Sequence, residues 1–125
     1  MGRQRRNRRD DAQASEDPDA LQPGTWPIAT GEVELRPDDL SPGAWTVLVN
    51  GVPSSHVDPE RPDQLDFEYM RWMAALLRTH VAAHLEPTTL RVLHLGGGAC
   101  SMARWVHWQW PQARQVVVEL DARLV

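Results

Sequence analysis

The sequence has no lysine at all, and its 125 residues include one cysteine, one tyrosine and one phenylalanine. A single cysteine, Cys100, excludes an internal disulfide and a cysteine-based metal cluster, and it favours a reducing, cytoplasmic environment. No apolar run approaches the roughly 20 residues that cross a bilayer. Residues 1–9 are basic like the start of a signal peptide, but acids and prolines follow instead of an apolar stretch. We therefore expect a cytoplasmic chain with no membrane segment and no metal site.

The net charge of -4 conceals an uneven distribution of charge. Five arginines fall within residues 1–9, whereas most of the acids lie in residues 10–68. Arginines can hold phosphate groups, but the neighbouring acidic run would compete for them, so we expect no nucleic-acid partner. Residues 1–27 also contain three prolines and few periodic apolar residues. This composition predicts a disordered charged tail over 1–27.

A β-hairpin unit is predicted over residues 28–60. Apolar and polar residues alternate in 31–36, and a second β-rich run occupies 44–49. Asn50-Gly51 follows at once, and both residues tolerate the positive φ angles of a tight turn. Residues 54–57 can then return as the next strand. We therefore expect an antiparallel β unit between residues 31 and 58.

A long helix is predicted over residues 64–85, with Asp63 as its N-cap. Apolar residues recur there at spacings of three and four, which predicts one buried stripe. The members of this stripe are Leu65, Tyr69, Met73, Leu76, Leu77 and Val81.

The spacing of apolar residues changes after the long helix, and the new pattern predicts a βαβ unit. An apolar strand over residues 92–95 leads into three glycines, a helix over 101–110 and a second apolar strand over 115–120. The two strands should be parallel, joined by a right-handed crossover. We therefore predict an α/β protein in which residues 61–125 hold the long helix and this unit.

The glycine run predicts a ligand site. Gly96, Gly97 and Gly98 stand where a strand meets a helix, so a ligand can approach bare backbone near the helix amino terminus. Glu119 lies at the end of the next strand, where an acid can accept hydrogen bonds from ribose hydroxyls. A tight turn with an exposed acid is the structural alternative. Ser101 replaces the third glycine of a dinucleotide site, and the lysine of a P-loop is absent, so a nucleoside ligand without pyrophosphate, such as S-adenosylmethionine, fits better.

Four segments in order resemble one known family. They are TVLVNGVPSSHVDPE, LDFEYMRWM, VLHLGGGACSMARWV and VVVELDARLV. Together they are similar to spermidine synthase-like polyamine aminopropyltransferases, which share the class I S-adenosylmethionine-dependent methyltransferase fold. The resemblance covers about residues 31–125. It implies that the βαβ unit is the first one of a Rossmann-like sheet that is incomplete here, since the family sheet normally has seven strands.

The resemblance also implies roles for individual residues. Gly96, Gly97 and Gly98 would face S-adenosylmethionine or decarboxylated S-adenosylmethionine, and Glu119 would hold the ribose. Tyr69 would line an amine pocket for a polyamine. The family's catalytic aspartate would lie beyond Val125, so we expect the amino-terminal part of a longer enzyme or a truncated product. A homodimer is one option for the complete protein.

Three departures from the family pattern leave a second interpretation open. Ala99 and Cys100 occupy the positions of an Asp-Gly pair, and Met70-Arg71 replaces a polar pair ending in glutamate. Ser54 stands where the family has a glutamine that helps hold the polyamine. Carboxylates would pair with the charges of a polyamine, so their loss disfavours a polycationic acceptor. The alternative is a catalytically inactive remnant or binding module that keeps the nucleoside-binding fold.

Overall fold

The computed structural model describes residues 20–125, and most of the predicted tail lies outside them. The described residues form a mixed α/β structure with two sheets, as predicted. In chain order the elements are β1 Gly24–Ile28, β2 Gly31–Pro37, β3 Trp45–Val49, β4 Val52–Val57, α1 Glu68–His84, a 3-10 turn Pro87–Thr89, β5 Arg91–Leu95, α2 Ser101–Gln109 and β6 Arg114–Val118.

The first sheet is antiparallel, with strand order β1-β2-β3-β4. The predicted antiparallel unit is therefore confirmed, with the β3–β4 turn at Asn50-Gly51, where φ is +52° and +78°. The side chain of Asn50 also joins this turn to the β1–β2 turn. Its Oδ1 accepts from the Glu32 amide at 3.0 Å, and its Nδ2 donates to the Thr30 carbonyl at 3.1 Å.

Strand β1 corrects the boundary predicted for the disordered tail at residue 27. It begins at Gly24 and pairs along its whole length with β2, from Gly24 opposite Leu35 to Ile28 opposite Gly31. The strand lies at an edge, where Pro27 is tolerated because one side of an edge strand needs no ladder bond. Its residues lack an apolar pattern because only Ile28 is buried. Backbone pairing, which side-chain periodicity does not reveal, therefore orders this segment.

Helix α1 begins at Glu68, so the predicted start at residue 64 and the predicted cap at Asp63 are wrong. The carboxylate of Asp63 accepts instead from the side chain of Gln64 at 2.8 Å. Earlier in the chain, Asp58 holds a turn by accepting from the amides of Glu60 and Arg61. Turns occupy residues 59–60 and 62–63, and residues 64–67, in which the helix was expected to begin, are not helical.

The predicted apolar stripe is confirmed in part. Val81 and Leu65, which precedes the helix, are buried, and Leu77 packs against the core. The predicted Tyr69, Met73 and Leu76 are instead between 46% and 71% exposed, and Met70 and Ala74 are buried. Apolar residues cover most of the helix surface, so periodicity alone does not select one face. The contact with α2 makes that selection, because Met70 and Ala74 share one core cluster with Trp105 and Val106.

The second sheet consists of β5 and β6, paired in parallel as predicted, with Leu93 opposite Val116. Helix α2 connects them and contributes Trp105, which is 3% exposed, and Val106, which is fully buried. Trp105 packs edge-on against Trp110, with ring centroids 5.7 Å apart. Among residues 20–125, no helix combines the length and the apolarity needed to cross a bilayer.

Candidate functional site

The glycine loop, residues 96–100, connects β5 to α2 in an uncommon backbone conformation. Gly96, Gly98 and Cys100 have φ angles of +87°, +51° and +57°. Glycine adopts such angles without steric cost, whereas Cys100 is a non-glycine residue in the left-handed region. The Gly96 amide donates to the Val118 carbonyl at 2.7 Å, which joins the start of the loop to the end of β6.

Gly97 lies where a side chain would meet β6. A Cβ atom at this position would be 3.0 Å from Cγ1 of Val117 and 3.5 Å from Oε2 of Glu119. The first distance is tighter than ordinary van der Waals contact. A side chain at Gly97 would therefore crowd Val117 and lie in contact with the Glu119 carboxylate.

Glu119 follows the last residue of β6 and accepts hydrogen bonds from two backbone amides. Its Oε2 accepts from Gly97 at 2.8 Å and its Oε1 from Asp121 at 3.0 Å. The Asp121 amide, followed by that of Gly97, lowers the pKa of the Glu119 carboxyl group below its ordinary value. The fold thus brings Gly97 and Glu119, two of the residues selected from the sequence, into direct contact.

Strand β4 also contacts the glycine loop and the start of α2. The Ser55 hydroxyl oxygen accepts from the Ala99 amide at 3.2 Å, and the Ser101 hydroxyl donates to the His56 carbonyl at 2.6 Å. Ser55, His56 and Ser101 are all buried. Sequence reasoning missed this contact, because the residues that bond are 44 and 45 positions apart. The available signal for this contact was the run of consecutive polar residues within β4.

His56 is connected in turn to the loop between β2 and β3. Its Nε2 lies 2.9 Å from Oδ2 of Asp38, while Oδ1 of Asp38 accepts from the Leu40 amide at 2.8 Å. The Leu40 amide, then the bond to His56, lowers the pKa of the Asp38 carboxyl group. Asp38 therefore favours its ionised form, which suits a hydrogen bond to a buried imidazole.

The predicted amine-pocket residue, Tyr69, lies at the start of α1. It is 51% exposed, and its ring is stacked with that of Phe67 at a centroid distance of 6.0 Å. Its contact with an amine stays a prediction. The next two residues have structural roles, because Met70 is in the core and the Arg71 guanidinium donates to the carbonyls of Leu65 and Asp66.

Histidines His80 and His84 are neighbours on α1, with ring centroids 5.0 Å apart. Within the described part of the chain, no three His, Cys, Asp or Glu residues come together in a group that could hold a metal ion. The polar contacts at the candidate site are those among the glycine loop, β4 and Glu119.

No protein-family model and no curated protein matches this chain. A solved structure does: a probable spermidine synthase from Corynebacterium glutamicum ATCC 13032 shares 45% identity, with a TM-score of 0.81, over 84% of this chain. The resemblance to spermidine synthases is confirmed. The chain spans 38% of the length of that spermidine synthase. The matched 84% of this chain contains more residues than either sheet with its helices. The likeness to that spermidine synthase therefore extends over both sheets.

Proposed function

We propose that this chain is the cofactor-binding part of a spermidine synthase-like transferase and that it binds S-adenosylmethionine or decarboxylated S-adenosylmethionine. In this proposal β5, the glycine loop, α2 and β6 are the first βαβ unit of a Rossmann-like methyltransferase fold, in a cytoplasmic protein. The resemblance to a probable spermidine synthase supports the family, and the geometry at Glu119 supports the ligand.

One observation supports the adenosyl ligand most directly, namely the position of the Glu119 carboxylate against the glycine loop. Each carboxylate oxygen has two lone pairs. On Oε2 one of them accepts a hydrogen bond from the Gly97 amide, and on Oε1 one accepts a hydrogen bond from the Asp121 amide. The remaining lone pairs can accept the two ribose hydroxyls of an adenosyl group. The lowered pKa keeps Glu119 ionised, which strengthens such bonds because they are charge-assisted.

The glycine loop would accommodate the ligand by leaving its backbone bare. Gly96 and Gly98 have the positive φ angles that turn the chain sharply out of β5. Gly97, between them, presents no side chain toward the end of β6. These residues fit a flat nucleoside lying across the carboxyl ends of two parallel strands, the edge at which open α/β sheets bind ligands.

Bound decarboxylated S-adenosylmethionine would supply a sulfonium-activated aminopropyl group to an attacking amine. The contribution of the described residues is to bind and orient it: Glu119 fixes the ribose, and the loop backbone fixes the approach to the nucleoside. The general base of transfer is not assigned to any of these residues.

The side chains at three positions do not favour a polyamine as the acceptor of the aminopropyl group. Ala99 supplies no carboxylate, Met70 is buried in the core and Arg71 carries a positive charge on the backbone carbonyls before α1. These observations favour the second candidate function, a nucleoside-binding module without aminopropyl transfer. Tyr69 is proposed as an amine-pocket residue only under the transferase function.

Calorimetry with decarboxylated S-adenosylmethionine, S-adenosylmethionine and methylthioadenosine tests the ligand. We expect at least one to bind with one-to-one stoichiometry, and no binding of any of the three would contradict the proposal. A transfer assay then separates the two functions. Putrescine with decarboxylated S-adenosylmethionine should yield spermidine, methylthioadenosine and a proton if the protein is a transferase, whereas binding without these products would favour the module.

A further inference from the structure

The glycine loop requires an external support because of its backbone. Gly96, Gly98 and Cys100 all have positive φ angles, and α2 starts at Ser101 without a side-chain cap from Cys100. The first amides of a helix have no backbone acceptor within the helix. The Ala99 amide, which lies just before α2, likewise has no acceptor within the helix, so a partner from another element can fix this part of the loop.

Strand β4 provides that acceptor through Ser55. Its Oγ accepts from the Ala99 amide at 3.2 Å, two residues before α2 begins, and only 4% of Ser55 is exposed. Ser55 thus binds the glycine loop immediately before α2 and leaves the first-turn amides of the helix uncapped. The Ser55 hydroxyl is shielded from bulk water, so Ser55→Ala, which removes this hydroxyl, would leave the Ala99 amide without its partner.

The fit between Ser55 and the loop is close. A Cβ atom on Gly98 would lie 2.5 Å from Oγ of Ser55, so the two residues approach as near as a glycine permits. A second hydrogen bond lies one residue further along β4 and two residues further along the chain from Ala99, from the Ser101 hydroxyl to the His56 carbonyl at 2.6 Å. Two hydrogen bonds therefore hold this segment to β4, next to the close approach of Gly98 to Ser55.

We propose that Ser55 and Ser101 are positioning residues, which hold the glycine loop in the conformation that binds the adenosyl ligand. This inference rests on the proposed function for its ligand. Neither serine is assigned a contact with the ligand. Each acts through the loop backbone, so that β4 of the antiparallel sheet sets the geometry of a site formed by the parallel one.

Hydrogen exchange measured amide by amide, together with calorimetry, tests this inference in Ser55→Ala and Ser101→Ala. Loss of one hydrogen bond should raise exchange at residues 97–101 and weaken adenosyl-ligand binding by about three- to tenfold. Exchange in α1 should be unchanged. Ser101→Thr retains a hydroxyl and should restore both properties toward those of the parent protein.

Ser54→Ala is the matched control, because the Ser54 hydroxyl donates to the Val52 carbonyl within the same strand. It should leave loop exchange and affinity as they are. Equal behaviour of Ser55→Ala and Ser54→Ala, or a uniform rise in exchange over the whole chain, would overturn the inference. If the parent protein binds no adenosyl ligand, the proposed function fails, and local exchange at 97–101 still decides whether the serines hold the loop.

Discussion

The Glu119 carboxylate lies 2.8 Å from the Gly97 amide nitrogen, which makes the end of β6 and the glycine loop one hydrogen-bonded unit. A side chain at Gly97 would press on Val117 of β6, so glycine suits the close approach of the loop to this strand. The same carboxylate accepts from the Asp121 amide. Glu119 therefore shapes the loop and also presents its remaining lone pairs to a ligand.

Glu119→Ala should weaken binding of the adenosyl ligand by about tenfold or more, since charge-assisted hydrogen bonds to ribose and the support of the loop are lost together. Glu119→Gln should cost less, because its carbonyl oxygen can keep part of this role. Calorimetry measures both, with Glu60→Ala in an exposed turn as the control. Unchanged affinity in Glu119→Ala would contradict the ribose assignment.

Asp38 should make the stability of the antiparallel sheet dependent on acid. Its pKa is lowered in the folded chain, so the unfolded state binds the proton more readily than the folded state. The stabilising effect is therefore complete above the ordinary aspartate pKa of about 4 and is lost as pH falls through the lowered value. Urea unfolding between pH 6 and about pH 3 measures it.

Asp38→Asn should flatten this part of the pH profile, whereas Asp39→Asn, at the neighbouring acid, should leave it unchanged. The loss below pH 4 should include the bond to His56, which a neutral carboxyl group holds less strongly. Identical pH profiles for the parent protein and Asp38→Asn would show that the Asp38 contacts do not stabilise the fold.

Cys100→Gly should stabilise the chain by up to about 1 kcal/mol, because a left-handed φ costs a non-glycine residue more than glycine loses in unfolded-state entropy. Asn50→Gly provides a contrast at a similar φ. It should destabilise by about 1 kcal/mol or more, since Asn50 loses its bonds to Glu32 and Thr30. Urea unfolding should therefore give opposite signs for the two variants, and a loss of stability in Cys100→Gly would contradict the strain at Cys100.

Val106→Ala should cost roughly 1.5–3 kcal/mol of unfolding free energy, because Val106 is fully buried in the α1–α2 core. Val52→Ala is the control, since Val52 is 62% exposed and its truncation should change stability by about 0.5 kcal/mol or less. Thermal and urea unfolding measure the two. A comparable loss in both variants would show that Val106 is not central to the core.

The sequence by itself determined the order of the helices and strands from β2 onward and much of the candidate site. Alternation before Asn50-Gly51 predicted the antiparallel hairpin, and the glycine run between two apolar strands predicted a parallel βαβ unit. Glu119 was found because it is an acid at the end of the second apolar strand, at about the spacing from the glycine run that ribose-binding acids have. These features depend on local backbone preferences and on spacing along the chain, both of which can be read from residue types.

Only the tertiary structure decided which surfaces and partners were used. It selected the Met70 and Ala74 face of α1, because helix packing chooses among several apolar stripes. It ordered β1 through backbone pairing that leaves no apolar pattern. It also brought Ser55 to the Ala99 amide across 44 positions of sequence, since hydrogen bonds between distant segments exist only once the two sheets are folded together.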